Sequence, residues 1–240
     1  MTVLDASTSA TVPGRGVPGP IDHSRQAAAR VFEALRGEIV GLVLLPGAAL
    51  PRAELQARFA VSSTPLRDAL LRLRAEGLVD IFPQHATRVS LIDLDAARQA
   101  HFLRRSIEIE IASVLVEAPP PGLVERLRAI AEQQDWLAGR GEFDPFAALD
   151  LAFHELLYEA AGVTHLWHLV RRESGQIDRL RRLHLPVEGK AQQVVADHFA
   201  IAAAIEAGDG AAAQAAIREH LSKSIAFGPT IRARHPHYFR

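Results

Sequence analysis

Val61-Ser62-Ser63-Thr64-Pro65-Leu66-Arg67-Asp68-Ala69-Leu70 sets the reading of the first third of the chain. Leu66, Ala69, Leu70 and Leu73 recur at helical spacing, so they bury one side of a helix and leave Ser63, Thr64, Arg67 and Arg74 on the other. Ser62 or Ser63 can cap this helix, Pro65 falls in its first turn where a missing N–H costs little, and Gly77 stands where a helix-ending glycine belongs. Just upstream, Arg52 to Phe59 is short and amphipathic, with Leu55 and Phe59 on one side, and a tight turn at Ala60-Val61-Ser62 joins the two. Two helices joined this way, the second with polar residues at its start, make a helix-turn-helix. The β-rich runs Leu78 to Phe82 and Thr87 to Leu91, separated by Pro83-Gln84-His85-Ala86, add a hairpin wing.

Toward the N-terminus, Val31, Leu35, Ile39 and Leu42 mark a further helix from His23 to Gly41, followed by a turn at Leu45-Pro46-Gly47. Residues 1–20 are rich in Ser, Thr, Gly and Pro and cannot offset the entropy of ordering, so a loose tail is expected. Downstream of Ile92 no strand signal remains. A long helix from Ile92 to Glu117 carries one stripe of Leu103, Ile107, Ile111 and Val114 and another of His101, Arg104 and Glu108. Proline and glycine then divide helices at Leu123 to Leu137, Phe143 to Ala161, Thr164 to Leu185, Val187 to Ala207 and Ala211 to Phe227, with a tail containing Pro229 and Pro236. The expected fold is mainly α: a disordered tail over 1–22, a winged helix-turn-helix over 23–91, and an all-α bundle of about six or seven helices over 92–240.

With 240 residues, 48% of them hydrophobic, the chain can give each of two domains a core. Its formal net charge of -1 excludes polyanion binding by bulk charge, so contact with DNA must come from a local basic cluster. The chain has no cysteine, which excludes disulfides and thiolate metal sites, suits a reducing compartment, and leaves His and carboxylate as metal ligands. No apolar run reaches the roughly 20 residues of a membrane span, and no apolar segment follows an N-terminal basic cluster. A cytoplasmic protein without a membrane partner is expected.

Asp150-Leu151-Ala152-Phe153-His154 places a carboxylate and an imidazole four residues apart, on a helix face shared with Phe146 and Leu157. His198 sits among Val194, Ile201 and Ile205, and His220 among Ala213, Ile217 and Phe227. Buried polar groups must be paired or metal-bound. His198 lies ten residues before Gly208 and His220 twelve after it, which sets the two at similar heights in an antiparallel hairpin. Asp150, His154, His198 and His220 therefore form a candidate divalent-metal site, in which three nitrogens and one oxygen suit Zn, with Ni or Mn as alternatives. Taken singly, each histidine could instead be a core residue bonded to a carbonyl. His165, His168, His184, His235 and His237 read as surface or tail residues.

The run from Leu45-Pro46-Gly47 through Glu54-Leu55 and Val61 to Leu70, continuing Leu73-Arg74-Ala75-Glu76-Gly77-Leu78-Val79, resembles the DNA-binding half of GntR-type bacterial transcription regulators over nearly all of residues 25–90. The resemblance implies DNA contacts from Thr64 and Arg67, a weaker one from Ser63, and His85 and Arg88 on the wing. The family usually has Arg at the position of Ser63 and Gly at that of Ala86. Over 95–228, Asp150-x3-His154, His198, Gly208-Asp209 and His220-Leu221 resemble the FCD ligand domain of the FadR-type branch. In that likeness Arg104, within Arg104-Arg105-Ser106-Ile107-Glu108, faces the ligand, its competing role being an intrahelical pair with Glu108.

Together these readings describe a transcription regulator, a repressor by expectation, that binds double-stranded operator DNA as a homodimer and responds to a small carboxylate effector at the metal. Two other readings use the same residues. One is a metal-dependent enzyme built on the bundle, which leaves the N-terminal pattern unexplained; the other is a regulator whose DNA recognition is altered by Ser63 and Ala86.

Overall fold

The computed structural model describes residues 20–82 and 86–240. Helix α1 (Pro20–Val40) presents Val31, Leu35 and Ile39 to α3 (Ser63–Ala75), which answers with Leu66, Ala69, Leu70 and Leu73. The short α2 (Arg52–Phe59) adds Leu55 to this core. Ala60 closes α2 in the left-handed region at φ 51°, and its N–H bonds back to the Ala57 carbonyl. Ser62 takes the N-cap position of α3 but makes no side-chain capping bond, so capping by Ser62 is corrected. Strands β1 (Val79–Phe82) and β2 (Ala86–Val89) pair antiparallel, with Val79 opposite Val89 at the buried end. The wing tip at 83–85, and with it His85, lies outside the described residues, as do residues 1–19 of the tail expected over 1–22; α1 begins within that span, at Pro20.

The second half is helical throughout. Its elements are α4 (Leu94–Glu117), α5 (Leu123–Ala138), α6 (Phe143–Ala160), α7 (Thr164–Glu173), α8 (Gly175–His184), α9 (Lys190–Glu206) and α10 (Gly210–Ala226). The hairpin of α9 and α10 packs α10 along α4 and α9 along α5, while α5 also lies against α6. The core between them holds Ile111, Leu115, Leu127, Phe153, Ile201 and Ile217. Among the described residues no helix is long and apolar enough to cross a membrane.

Three expectations need correction. The helix expected from Thr164 to Leu185 is two helices, broken where Ser174 turns its hydroxyl onto Asp178 at 2.7 Å and Gly175 lets Leu78 approach. A Cβ at Gly175 would lie 2.7 Å from Leu78 Cδ2, so only glycine fits without a shift. In α4 the buried face carries Ala100, Arg104, Glu108, Ile111 and Leu115, whereas Val114 is 44% exposed. The expected C-terminal tail is instead a short helix α11 (Gly228–Arg234) and a single 3-10 turn at Pro236–Tyr238. Its Phe239 is buried and its backbone bridges Ile92.

The two halves meet on α8. Arg179 is wholly buried and donates to the Ser90 carbonyl at 2.7 Å and to Gln176 Oε1 at 2.6 Å. Gln176 in turn donates to the Gly77 carbonyl at 2.7 Å, beyond the end of α3. Burial among neutral partners pulls the Arg179 guanidinium down to about 10, so it remains charged at neutral pH. Arg36 of α1 joins the same junction through Glu76, at 2.7 Å, and the Arg171 carbonyl.

Candidate metal centre and DNA-reading face

Phe146, Asp150, Phe153, His154 and Leu157 recur along one side of α6, so the fold that buries the phenylalanines also buries the carboxylate and the imidazole. The α9–α10 hairpin delivers His198 and His220 to the same level. The ligating atoms of Asp150, His154, His198 and His220 all lie within 4.8 Å of one another, and all four side chains are buried.

Each imidazole is oriented from behind. His154 Nδ1 is 2.8 Å from Glu108 Oε2, His198 Nδ1 is 2.6 Å from Gln134 Oε1, and His220 Nδ1 is 3.3 Å from Asp197 Oδ2. These oxygens accept, so every Nδ1 carries the proton and every Nε2 offers a lone pair. The ring of His198 also stacks on Phe153, with centroids 3.8 Å apart. His154 Nε2 and His220 Nε2 consequently face each other at 3.1 Å with lone pairs only, and His198 Nε2 is buried without a hydrogen-bond partner among the described residues.

Lone pairs opposed in this way repel unless a cation lies between them. Two nitrogens on one tetrahedral zinc stand about 3.3 Å apart, and no two donors sharing it exceed roughly 4.2 Å. His154 and His220 already stand near the former spacing, 3.1 Å apart, and His198 Nε2 lies 3.7 Å from Asp150 Oδ1, while the widest pair, at up to 4.8 Å, must close by roughly 1.5 Å to reach it; the donor types and their convergence fit a divalent metal.

Protonation fits it as well. Burial lowers all three histidines, His154 to about 4, so each is neutral near pH 7. Burial, the largest single influence, would raise the Asp150 carboxyl, but Arg181 together with His154, His198 and His220 outweighs it and holds Asp150 well below the ordinary carboxylate range. Arg181 Nη2 donates to Asp150 Oδ2 at 2.5 Å, leaving Oδ1 3.7 Å from His198 Nε2.

Arg104 is 4% exposed and donates through Nε to Glu108 at 2.6 Å, the intrahelical pair expected as its competing role. Its Nη2 is buried and unpartnered among the described residues. His184, expected at the surface, is buried, stacks on Phe227 at 4.3 Å and bonds Ser224. Gln134, Asp197 and Arg181 escaped the sequence reading. A glutamine on the apolar face of α5, between Ala131 and Leu137, was the available signal for the first.

On the other half, Ser63, Thr64 and Arg67 are exposed at the start of α3 and share a shallow groove with Arg52 and Gln56 of α2. Arg88 is exposed on β2 and donates to the Gly47 carbonyl at 3.1 Å.

Residues 27–89 match the bacterial regulatory proteins of the gntR family, and residues 99–223 match the FCD domain. This chain belongs to the GntR family, in the branch that carries an FCD domain. It is 36% identical over 211 residues to an HTH-type transcriptional regulator in an unstable DNA locus of Streptomyces ambofaciens, covering 87% of this chain and 88% of that one. It is 28% identical over 194 residues to the HTH-type transcriptional repressor RspR of Escherichia coli K12, covering 81% and 85%. Among solved structures, E. coli McbR/YncC superposes with a TM-score of 0.71 at 20% identity, covering 85% of this chain and 97% of that one, and so shares the fold. In this GntR-family chain, then, the winged half is the DNA-binding module of a transcriptional regulator, and the buried Asp/His cluster lies in its FCD half.

Proposed function

We propose that the protein is a metal-dependent repressor that binds operator DNA as a homodimer and releases it in response to a small organic acid. The observation that carries the sensor part is the set of Nε2 lone pairs from His154, His198 and His220, aimed with Asp150 at one buried point. Zinc is the ion the donor set suits best, with nickel or manganese as the alternatives. When bound, the ion supplies positive charge and an open position that attract a carboxylate.

The chain's own residues do the rest. Glu108, Gln134 and Asp197 keep the three rings in the ligating tautomer. Arg104 keeps Nη2 free as a donor for the acid. Ser63, Thr64 and Arg67, with His85 and Arg88 from the wing, meet the DNA. The guanidinium of Arg67 contacts a guanine edge or a phosphate, and the hydroxyls contact phosphates. Dimerisation follows from what a single reading head lacks: two half-sites are needed for useful affinity. The repressor direction draws on the name of the E. coli relative RspR.

The test mixes purified protein with DNA from upstream of its own gene, with and without EDTA, while zinc, nickel and manganese are titrated by calorimetry. Near-stoichiometric metal uptake and DNA binding that changes with metal and added carboxylate are expected. Absence of metal uptake would overturn the sensor reading, and absence of salt-dependent DNA binding would overturn the repressor reading.

A further inference from the structure

Arg52 opens α2 and lines two clefts at once. One, of about 150 Å3, runs between α2 and the start of α3 and is shared with Gln56, Ser63, Thr64 and Arg67. The other, of about 470 Å3, separates the start of α2 from the wing, which contributes Phe82, Ala86 and Thr87 to its wall. Arg52 is therefore the ridge between the helix that reads DNA and the hairpin beside it.

Several other arginines of the reading head are engaged within the protein. Arg36 pairs with Glu76 and Arg58 with Glu38, Arg72 lies 3.8 Å from the centre of the Phe32 ring, and Arg88 donates to the Gly47 carbonyl. Arg52 is exposed and, among the described residues, has neither an ion pair nor a hydrogen bond. A lone exposed arginine is ordinarily no more than a solvated charge. What distinguishes this one is its place, because a reading helix seated in the major groove, about 12 Å wide, has a sugar-phosphate strand along each edge. With α3 in the groove and the wing beside it, the strand on the wing side crosses the ridge that Arg52 forms.

We infer that Arg52 binds a backbone phosphate of the DNA strand that passes between α3 and the wing. Its guanidinium fork matches two phosphate oxygens, and the contact fixes the depth and register of α3 without reading sequence. The inference rests on the DNA-binding part of the function proposed above and extends it to α2, which none of the contacts named there includes.

Full-length protein is titrated by fluorescence anisotropy against a duplex from the region it protects upstream of its own gene. Arg52→Ala lowers the salt slope by about one, so its loss of affinity relative to wild type shrinks roughly 3–4-fold between about 50 and 200 mM salt. Arg52→Lys keeps the charge and the slope. Arg58→Ala removes a charge from the same helix that Glu38 already answers, and leaves the slope unchanged. Methylphosphonates then neutralise the duplex phosphates one at a time. One position in each half-site weakens wild-type binding and is silent in Arg52→Ala. The inference alone is overturned by an unchanged slope in Arg52→Ala, by a loss confined to duplexes with one particular base pair, or by the lack of any phosphate that is silent in that variant. A wild type without salt-dependent binding overturns the repressor reading, and this inference with it.

Discussion

His154 and His220 point their Nε2 atoms at each other across 3.1 Å, each held in that pose by a carboxylate on its other nitrogen. Without a cation this contact is unfavourable, so metal binding must add to the stability of the fold. At a zinc concentration 100-fold above Kd the gain is about 2.7 kcal/mol, which for a chain of this size raises the melting temperature by roughly 5–11 °C. Scanning calorimetry with zinc and with EDTA checks this, and His198→Ala should abolish most of the difference.

Gln134 acts on the centre only through His198 Nδ1, at 2.6 Å. Gln134→Leu frees that ring to adopt the other tautomer and should weaken zinc binding about 10–100-fold, read by competition with a chelator. Gln134→Glu keeps an acceptor and should restore affinity. Equal zinc affinity in all three proteins would show that ring orientation is set by the Phe153 stack alone.

Arg67 is exposed and has no ion pair among the described residues, so replacing it should leave the melting temperature unchanged. Arg67→Ala is expected to lose about 1–3 kcal/mol of DNA affinity, which is roughly 5–150-fold. Fluorescence anisotropy at several salt concentrations distinguishes its target. An unchanged salt slope means a base edge, and a slope reduced by about one means a phosphate. Arg52→Ala, in the same groove, should weaken binding across sequences.

The junction depends on Arg179, whose partners Ser90 and Gln176 join the wing to α8. Arg179→Met leaves the Ser90 carbonyl without its charged donor, at a cost on the order of 1.5–3 kcal/mol per lost bond. Calorimetry should then resolve two transitions where the wild type shows one. A single unchanged transition in the variant would mean that the bonds from Arg36 to the Arg171 carbonyl and from Gln176 to the Gly77 carbonyl hold the halves together without it.

Burial lowers His184 from 6.5 to about 4. Acid therefore protonates the unfolded chain first, and the stability tied to the neutral ring is complete above pH about 6.5 and lost as the pH falls toward about 4. In metal-free protein the melting temperature should drop between pH 7 and pH 5. His184→Gln cannot gain a proton there and can still bond Ser224, so its drop should be smaller.

The helices were legible in outline because a helix must bury one face, and that demand leaves a 3.6-residue period in any sequence that meets it. The helix-turn-helix and the four candidate ligands could be read for the same reason, since Asp150 and His154 interrupt an apolar stripe that has no other use for them. Period says nothing of what stands across from a face. Arg104 can be buried because Glu108 pairs with it, and Glu108 can be buried because His154 and Tyr158 lie opposite, so the charged stripe of α4 turned inward and Val114 outward.

The break at Gly175 likewise depends on Leu78, nearly a hundred residues earlier in the chain. Chain-local spacing was enough to say which residues are helical, which side is apolar and which donors are out of place. Where those donors meet, which nitrogen each ring presents, and that Arg181 holds Asp150 follow from contacts between distant segments. Short-range periodicity carries no record of such contacts, because they exist only once the helices have packed.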